Sequence, residues 1–240
     1  MVQLEVVEWN AGNGTFEDFK RLLDQCEVFF GCEFGDRGGW LRRAENLGWT
    51  VLEGNQPGSA STPVLVRRGI KVRRRITIPV LKPQPIGPGA GPDVNKQKNL
   101  VGGLLAKGQV NGPPVIFGAL STHVPPSQQH VKRNRAANKM TKNILKAVDN
   151  RYWPYLVAGD WNDTPGGDTP RIMYHAGWTN NHIADEIRPT HGRRAIDYVW
   201  WQRRVKGQRL VILERSRTYQ NRSDHDAVWC RLTITRRRKG

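Results

Sequence analysis

The chain has 240 residues, of which 38% are hydrophobic, so it is long enough for one large domain with a substantial core or at most two small ones. No run approaches the roughly 20 consecutive apolar residues that a membrane-spanning helix requires. Lys and Arg total 38 and Asp and Glu total 21, which gives a net charge of +17. A charge this large favours a polyanionic partner, with nucleic acid first and an anionic membrane surface second.

The cysteines and the N-terminus indicate a cellular compartment. Cys26, Cys32 and Cys230 form a sparse, odd set without the spacing of a zinc site or a disulfide framework, which is typical of a reducing compartment. The first residues lack the basic segment and apolar stretch of a signal peptide. Together these features predict an intracellular, cytoplasmic protein.

The first part of the chain predicts a strand, a helix and a second strand. Residues 3–9 predict a strand that ends at Asn10. Thr15, followed three residues later by Asp18, is typical of a capped helix start, and the next ten residues fit a helix. The following apolar run predicts a strand that ends near Glu33. A unit of this length favours two parallel strands joined by a crossover helix.

The middle of the chain is rich in β-type sequence. Three runs predict strands, at 49–54, 63–68 and 71–81. The Pro- and Gly-rich residues 82–98 predict a mobile surface loop inside one domain, because the strand pattern resumes after them without a change of character. Asn111-Gly112 lies between two apolar runs and predicts a hairpin, although two prolines follow.

A helix over 128–149 is the clearest element of the sequence, because it has two distinct faces. The basic face consists of Lys132, Arg135, Lys139, Lys142 and Lys146, and the apolar face of Ala137, Met140, Ile144 and Ala147. The remaining strands are predicted at 155–160, 195–201, 209–219 and 226–235. The mixture predicts an α/β or α+β fold with two sheets. We expect a single domain over 1–235 and a short basic tail at 236–240.

Six strand-linked segments each bring a polar or ionisable side chain next to apolar residues. These side chains are Asn10, Glu33, His123, Asp160 with Asn162, Asp197, and Asp224 with His225. A single Asp at a strand end is usually a turn or helix cap, and we interpret Asp36 and Asp163 in that way. Six segments together favour a cleft, because strand ends are rigid and face a common edge.

The residue types narrow the chemistry of this cleft. Carboxylates and an Asn amide are hard oxygen ligands that suit Mg²⁺, with Mn²⁺ or Ca²⁺ as alternatives. The remaining acids and histidines could activate water and protonate a leaving group. The sequence contains no phosphate-binding loop of the GxxxxGK[ST] type and no nucleophile-elbow motif. The set therefore predicts a metal-dependent phosphoester hydrolase.

Six short motifs, in this order, resemble the exonuclease–endonuclease–phosphatase superfamily, which includes pancreatic-type deoxyribonucleases and abasic-site endonucleases. They are WN (9–10), CE (32–33), STH (121–123), GDWN (159–162), RAIDYV (194–199) and SDH (223–225). GDWN and SDH are the most specific of them. The resemblance runs from residue 9 to residue 229. It implies a four-layer sandwich of two packed, mixed β-sheets flanked by helices, with the site at one end of the sheets.

The chain departs from the family pattern at three positions. Cys32 stands where the family commonly has Gln, and Gly12 stands where some abasic-site enzymes have Asp. His123 stands where those enzymes carry Tyr, which makes the site more similar to the pancreatic type. These departures leave the subfamily open.

The resemblance also implies a role for each motif residue. Glu33 would be the main metal ligand, with Asn10 and Asp224 nearby. Asp160 and Asn162 would orient or deprotonate the attacking water, and the resemblance leaves the identity of the general base open.

The resemblance gives the two histidines separate roles. His225 would contact the scissile phosphate, with Asp197 as the partner that orients it. His123 would bind phosphate or help to protonate the leaving oxygen. His130, His175, His182 and His191 belong to no motif, so they are interpreted as surface or packing residues, although His191 could make a weak substrate contact.

Charge favours DNA as the substrate and nuclease as the activity. The residues expected to bind its backbone phosphates are Lys132, Arg135, Lys139, Lys142, Arg73 and Arg75. An alternative substrate is a phospholipid, a phosphoinositide or a small phosphoester, because basic surfaces also bind anionic membranes. A third hypothesis is a non-catalytic protein with the same fold that binds nucleic acid.

Overall fold

The described residues of the computed structural model are 1–35, 39–54, 61–82, 97–110, 112–126, 131–149, 152–182, 189–202, 204–205 and 209–236. The helices are α1 (Phe16–Leu23), α2 (Trp40–Asn46), α3 (Val131–Val148) and α4 (Asp168–His175). The strands are β1 (Val2–Asn10), β2 (Val28–Cys32), β3 (Thr50–Leu52), β4 (Val64–Val66), β5 (Ile70–Leu81), β6 (Lys98–Lys107), β7 (Val115–His123), β8 (Tyr155–Asp160), β9 (Trp178–Asn180), β10 (Asp197–Gln202), β11 (Arg204–Val205), β12 (Arg209–Tyr219) and β13 (Ala227–Arg236).

The strands described above form two mixed sheets. One has seven strands in the order β11-β12-β13-β1-β2-β4-β3, and the other has six in the order β5-β6-β7-β8-β10-β9. Most neighbours are antiparallel, but β1 runs parallel to β2 and β7 runs parallel to β8. The parallel β1–β2 pair, joined by α1, is the crossover unit that the sequence predicted.

Apolar side chains divide the described part of the molecule into four layers. Leu4, Phe117 and Val199 belong to a cluster between the two sheets. A second cluster lies between the six-stranded sheet and helices α3 and α4, and it includes Met140. A third lies between the seven-stranded sheet and helices α1 and α2, and it includes Phe19. This helix–sheet–sheet–helix order confirms the predicted sandwich.

Strand register brings the ends of the central strands to one level. In the seven-stranded sheet Asn10 is paired with Cys32. In the six-stranded sheet Asp160 is paired with both His123 and Asp197. The polar residues at these positions therefore lie at the same end of the sandwich, where side chains from different strands can meet.

Local sequence signals account for most of the helices. The Thr15 side chain and the Asp18 side chain form the predicted capping box at the start of α1. Helix α3 buries Met140 and Ile144 against the sheet, as its apolar stripe predicted. Helices α2 and α4 were not predicted, because each begins after a glycine that offers no side-chain cap and each is short.

Some predictions fall on residues outside the described part of the chain. These are most of the loop predicted at 82–98, the start of the long helix at 128–130, the turn residue Asn111, the turn residue Asp36, and residues 237–240 of the basic tail. The hairpin itself is confirmed, because β6 and β7 are adjacent and antiparallel. No helix in the described part of the chain is both long enough and apolar enough to cross a membrane.

Gly159 allows β8 to approach β7 closely near the carboxyl ends of these two strands. Its φ is +147°, and a Cβ atom added there would lie 1.8 Å from the carbonyl oxygen of Thr122. We expect Gly159→Ala to lower the free energy of unfolding by about 2–4 kcal/mol, because backbone strain and overpacking each cost about 1–3 kcal/mol.

Urea denaturation measures this effect, and Gly166→Ala is the matched control. A Cβ atom at Gly166 would meet nothing within 4 Å, so that variant should unfold at nearly the wild-type urea concentration. Equal midpoints for the two variants would contradict the close approach at Gly159.

Candidate active site

Polar contacts between the two sheets hold the candidate site together. The Asn10 amide nitrogen donates to Asp160 Oδ2 at 3.1 Å, which joins the end of β1 to the end of β8. Below it, the Ser121 hydroxyl donates to the carbonyl oxygen of Gly31 at 2.9 Å. The sandwich is therefore fastened by hydrogen bonds at this end, whereas apolar contacts dominate further inside.

Cys32 makes a further contact between the sheets. Its thiol donates to the carbonyl oxygen of Thr122 at 3.2 Å and accepts from the backbone N–H of Asp160 at 3.4 Å. Burial raises the pKa of the Cys32 thiol well above its ordinary range, so the thiol keeps the proton that it donates. A short side chain can make this contact because Gly159 brings the opposite strand near. These contacts give Cys32 a structural role at the position where the family that the motifs resemble commonly has Gln.

Two predicted site residues have left-handed backbone conformations. Glu33 has a φ of 55° and Asn162 has a φ of 51°. Non-glycine residues rarely adopt this conformation, which costs free energy and tends to occur at functional sites. Each follows the end of a central strand, and the turn directs its side chain toward the cluster.

His123 lies between these two residues. Its Nε2 atom is 3.1 Å from the Asn162 amide nitrogen, 3.8 Å from Glu33 Oε1 and 3.7 Å from Asp160 Oδ2. Burial, with the charges of Lys98 and His225, holds the pKa of His123 well below its usual range. The ring is therefore neutral at pH 7, and its unprotonated Nε2 can accept from the Asn162 amide.

His225 has the opposite charge preference. Its Nδ1 atom is 2.9 Å from Asp197 Oδ2, and both side chains are buried. Burial by itself lowers the pKa of His225, but the hydrogen bond and charge of Asp197, with further charge from Asp160 and Asp224, outweigh it and raise the pKa to about 9. His225 is thus a cation at neutral pH, with its Nε2 atom 4.0 Å from Asp160 Oδ2.

Asp160 is at the centre of the cluster. Burial and the nearby charge of Asp197 raise its pKa to about 8, against the opposing effects of His225 and of hydrogen bonds from the Asn162 backbone and the Asn10 amide. Its other oxygen, Oδ1, accepts the Asn162 N–H at 2.7 Å. Asp160 ionises readily at neutral pH only if further positive charge lies beside it.

Asp224 reaches the site from the segment before β13. The Ser223 hydroxyl donates to the Asn10 carbonyl oxygen at 2.9 Å, which holds this segment against the end of β1. A Cβ atom at Gly12 would lie 2.2 Å from Asp224 Oδ1. A larger residue at position 12, such as the Asp of some abasic-site enzymes, would therefore displace Asp224 from where it now lies.

The donors of this site fit a hard divalent cation. Carboxylate oxygens of Asp160 and Asp197 lie within 4.8 Å of each other. Asp197 Oδ1 is buried without a hydrogen-bond partner among the described residues, and the Glu33 side chain is 44% exposed at the mouth. Carboxylate oxygens of this kind, one of them with a raised pKa, are ligands that Mg²⁺, Mn²⁺ and Ca²⁺ accept.

His191 also lies at the site, which its sequence context did not predict. Its ring centroid is 4.5 Å from that of His225, and its Nε2 atom is 3.6 Å from Asp224 Oδ2. It was interpreted as a surface or packing residue because no motif contains it. The only sequence signal was its place a few residues before the IDYV strand.

Other residues have supporting roles. Asp163 Oδ2 accepts the backbone N–H and the hydroxyl of Thr169, which confirms its interpretation as a turn cap. The His182 Nε2 atom is 2.9 Å from the Asp197 carbonyl oxygen, so this buried ring packs behind the site. Trp161 is buried under the site against Trp200.

Glu8 is a buried acid two residues before Asn10. Neither of its carboxyl oxygens has a hydrogen-bond partner among the described residues. Burial, followed by the charges of Asp197 and Asp160, raises the pKa of Glu8 well above its usual range. Glu8 therefore binds a proton more tightly in the folded than in the unfolded chain, and its contribution to stability is lost as pH rises above the unfolded value of about 4.5.

We expect Glu8→Gln to make the protein less sensitive to alkali. The difference in the free energy of unfolding between variant and wild type should grow as pH rises above about 4.5, by up to about 1.4 kcal/mol for each pH unit. Urea denaturation at several pH values measures this difference. The exposed Glu53→Gln is the control, and a pH-independent difference for Glu8→Gln would contradict an uncharged Glu8.

The basic residues predicted to bind nucleic acid lie outside this cluster. Arg135, Lys139 and Lys142 are exposed on α3, and the Lys132 side chain is outside the described residues. Arg73 and Arg75 are exposed on the edge strand β5, where the Arg75 guanidinium donates to the Val51 carbonyl oxygen. These residues form basic surfaces on the six-stranded side of the sandwich.

No family model and no curated protein matches the chain. Solved structures match almost all of it. An endonuclease/exonuclease/phosphatase from Bacteroides vulgatus is 16% identical with a TM-score of 0.73, and the match covers 98% of this chain and 100% of that one. Danio rerio TDP2 complexed with single-strand DNA product is 13% identical with a TM-score of 0.71, and the match covers 97% of this chain and 100% of that one. A Bacteroides thetaiotaomicron mannosyl-6-phosphatase is 12% identical with a TM-score of 0.65, and the match covers 96% of this chain and 99% of that one.

Identities of this size are evidence about the fold, and substrates differ among the similar proteins, since one is named for a sugar phosphate and another holds DNA. The resemblance inferred from the motifs is confirmed at the level of architecture: the chain has the fold of the endonuclease/exonuclease/phosphatase superfamily.

Proposed function

We propose that this protein is a divalent-metal-dependent phosphodiesterase and that it cleaves DNA. The observation that carries the proposal is the buried Asp197–His225 pair facing Asp160, with Nε2 of His225 4.0 Å from Asp160 Oδ2. A cationic imidazole can stabilise charge on a phosphate, and a neighbouring acid that can be ionised can accept a proton from water, so the pair suits phosphoester hydrolysis.

In the proposed reaction, Asp160 and Asn162 orient a water molecule toward phosphorus. The water oxygen forms a bond to phosphorus while the bond to the leaving oxygen breaks. Asp160 takes a proton from the water, and the leaving oxygen receives a proton from the medium. The His225 imidazolium donates to a phosphate oxygen and stabilises the added negative charge, while Asp197 keeps the ring protonated and oriented.

His123 has a different part in this proposal. Because burial keeps its ring neutral, it is suited to a hydrogen bond rather than to the delivery of a proton. Its contact with Asn162 holds the amide that orients the water. This supports a positioning role for His123 through Asn162 and argues against the role of an acid for the leaving oxygen.

The proposed cation would be held by Glu33, with Asn10 and Asp224. When bound, it would supply positive charge at the reacting phosphate and lower the pKa of the neighbouring acid Asp160. The preference of carboxylate and amide oxygens for hard ions makes Mg²⁺ the first candidate, with Mn²⁺ or Ca²⁺ as alternatives.

Charge supports DNA as the substrate. The net charge of +17 and the exposed basic face of α3 favour a polyanion over a small neutral or singly charged ester. A similar fold occurs in TDP2 complexed with a single-strand DNA product. The second candidate is a phosphatase for a small phosphoester or phospholipid headgroup, which the similar fold of a mannosyl-6-phosphatase supports.

One set of reactions separates these candidates. The purified protein is incubated with supercoiled plasmid, linear duplex, single-stranded DNA, RNA, a sugar phosphate and phosphoinositide vesicles, each with Mg²⁺, Mn²⁺ or EDTA. We expect metal-dependent cleavage of DNA that His225→Ala abolishes. Phosphate release from the small esters alone would support the second candidate, and DNA binding without any cleavage would support a non-catalytic protein.

The basic face of α3 should add to DNA affinity. Lys139→Glu combined with Lys142→Glu is expected to weaken binding of duplex DNA about tenfold or more at low salt, and to reduce the slope of log Kd against log salt concentration by about 2. Fluorescence anisotropy at several salt concentrations measures both. Lys20→Glu with Arg42→Glu changes the net charge equally on the opposite helical layer and should have a smaller effect. Equal slopes for the two double variants would assign α3 no specific role.

A further inference from the structure

A tight turn at residues 190–194 lies directly beside His225. Within the turn, the backbone N–H groups of Thr190 and His191 both donate to the Arg194 carbonyl oxygen, at 2.9 and 3.0 Å, and the Arg194 N–H donates to His191 at 3.0 Å. Gly192, at the tip, has a φ of +58°, which favours glycine. The turn is therefore a defined hairpin of the main chain.

Thr190 joins this turn to both halves of the catalytic pair. Its hydroxyl accepts the backbone N–H of Ile196 and that of Asp197, each at 3.1 Å. Its carbonyl oxygen accepts the Asp226 N–H at 2.6 Å. The main chain of the turn is thus fastened to the segment that carries Asp197 and to the segment that carries His225.

Two side chains of the turn extend outward from His225. The His191 ring lies 4.5 Å from the His225 ring, centroid to centroid, and is 30% exposed. The Arg194 guanidinium donates from Nη2 to His191 Nδ1 at 3.2 Å. Arg194 is exposed, and its cationic group is linked to the His225 ring through His191.

The Arg194 contact also fixes which nitrogen of His191 carries a proton. A guanidinium only donates, so Nδ1 of His191 must accept and its Nε2 bears the hydrogen. Nε2 then cannot coordinate a metal ion, although His191, Asp224 and His225 have ligand atoms within 4.8 Å of one another. That N–H faces Asp224 Oδ2 at 3.6 Å, so the group that suits a further anion is the Arg194 guanidinium, which His191 orients.

We propose that this turn is a second phosphate subsite, in which Arg194, oriented by His191, holds the phosphate adjacent to the reacting one along the substrate. The inference rests on the proposed function, since it takes His225 to contact the reacting phosphate. It narrows the substrate to a chain with at least two successive phosphodiesters, and single-stranded DNA is the probe of that class. A sugar phosphate or a lipid headgroup with one phosphate would leave Arg194 without its ligand.

A binding experiment in EDTA tests the subsite independently of cleavage. The Kd of decathymidylate is measured against salt concentration for the wild type, Arg194→Ala, Arg194→Lys and the control Arg42→Ala, which removes an exposed charge from α2. We expect Arg194→Ala to reduce the slope of log Kd against log salt by about 0.7, the loss of one phosphate contact on a single strand. Arg194→Lys should keep most of the slope, and Arg42→Ala should keep all of it.

A kinetic comparison then locates the contact relative to the reacting phosphate. With metal present, Arg194→Ala should lower kcat/KM for decathymidylate at least tenfold more than kcat/KM for the p-nitrophenyl ester of thymidine 5′-monophosphate, which has one phosphate. Equal losses on both substrates would overturn the proposal, because Arg194 would then act on the reacting phosphate. A salt slope identical to that of Arg42→Ala would also overturn it. A changed slope in a protein that cleaves nothing would retain the subsite and reject the proposed function.

Discussion

Glu33→Gln is expected to reduce the rate of metal-dependent DNA cleavage by about a hundredfold or more. The substitution keeps the size of the side chain and removes the negative charge proposed to hold the cation. For scale, removing one group that stabilises charge in the transition state of an acyl-transfer enzyme costs about a hundredfold to a thousandfold in rate. Because Glu33 lies 3.8 Å from His123 at an exposed mouth, a change of its charge should leave the core intact.

Two measurements check this expectation. Cleavage rates are determined across a range of Mg²⁺ and Mn²⁺ concentrations, and metal binding is followed by calorimetry in the absence of DNA. Glu33→Gln should require much more metal and bind it more weakly, whereas the exposed Glu53→Gln should resemble the wild type. Unchanged rates together with an unchanged metal titration would remove Glu33 from the proposed metal site.

Asp197→Asn is expected to lower activity about a hundredfold or more at pH 8 and to change the shape of the pH profile. Asp197 is the group that raises the pKa of His225 to about 9 against the effect of burial. In the wild type the ring is protonated below pH 9, so activity should fall as pH rises through 9. Without the carboxylate, burial dominates, the pKa of His225 falls, and the alkaline decline should begin at least one pH unit lower.

The pH profile distinguishes this role from a merely structural one. A variant that only loosened the fold would lose activity at every pH without a shift of the alkaline limb. NMR titration of the His225 ring in metal-free protein gives its pKa directly in wild type and variant. Asp168→Asn, an exposed acid on α4, serves as the control. An unshifted His225 titration in Asp197→Asn would show that another group keeps this ring charged.

Short-range sequence patterns predicted the strands and the long helix well. Alternation and apolar runs identified β1, β2, β5 and the hairpin of β6 with β7, because each strand's pattern follows from which of its faces is buried. The capping box at Thr15 was readable because it depends on two residues three positions apart. Helices α2 and α4 were missed because tertiary contacts, more than their own caps, hold them.

The site was predictable as a set of residue types but not as a set of distances. GDWN and SDH identified Asp160, Asn162, Asp224 and His225 by motif, and the register of the strands brought most predicted residues to one end of the sandwich. No local pattern marked His191, whose position depends on Thr190 linking two strands that are far apart in the chain. The burial of Glu8 could not be predicted from sequence either, because its alternation with apolar neighbours is typical of an ordinary strand.

By itself, the sequence determined most of the strands along the chain, the motif residues at their ends and the large positive charge. These properties depend on residue identity and short spacing, which folding does not alter. Only the tertiary structure decided the pKa values around the candidate site: Asp197 raises the pKa of His225, and burial lowers that of His123 and raises that of Glu8. A pKa depends on desolvation and on charges within a few ångströms, and those distances exist only after the two sheets have packed together.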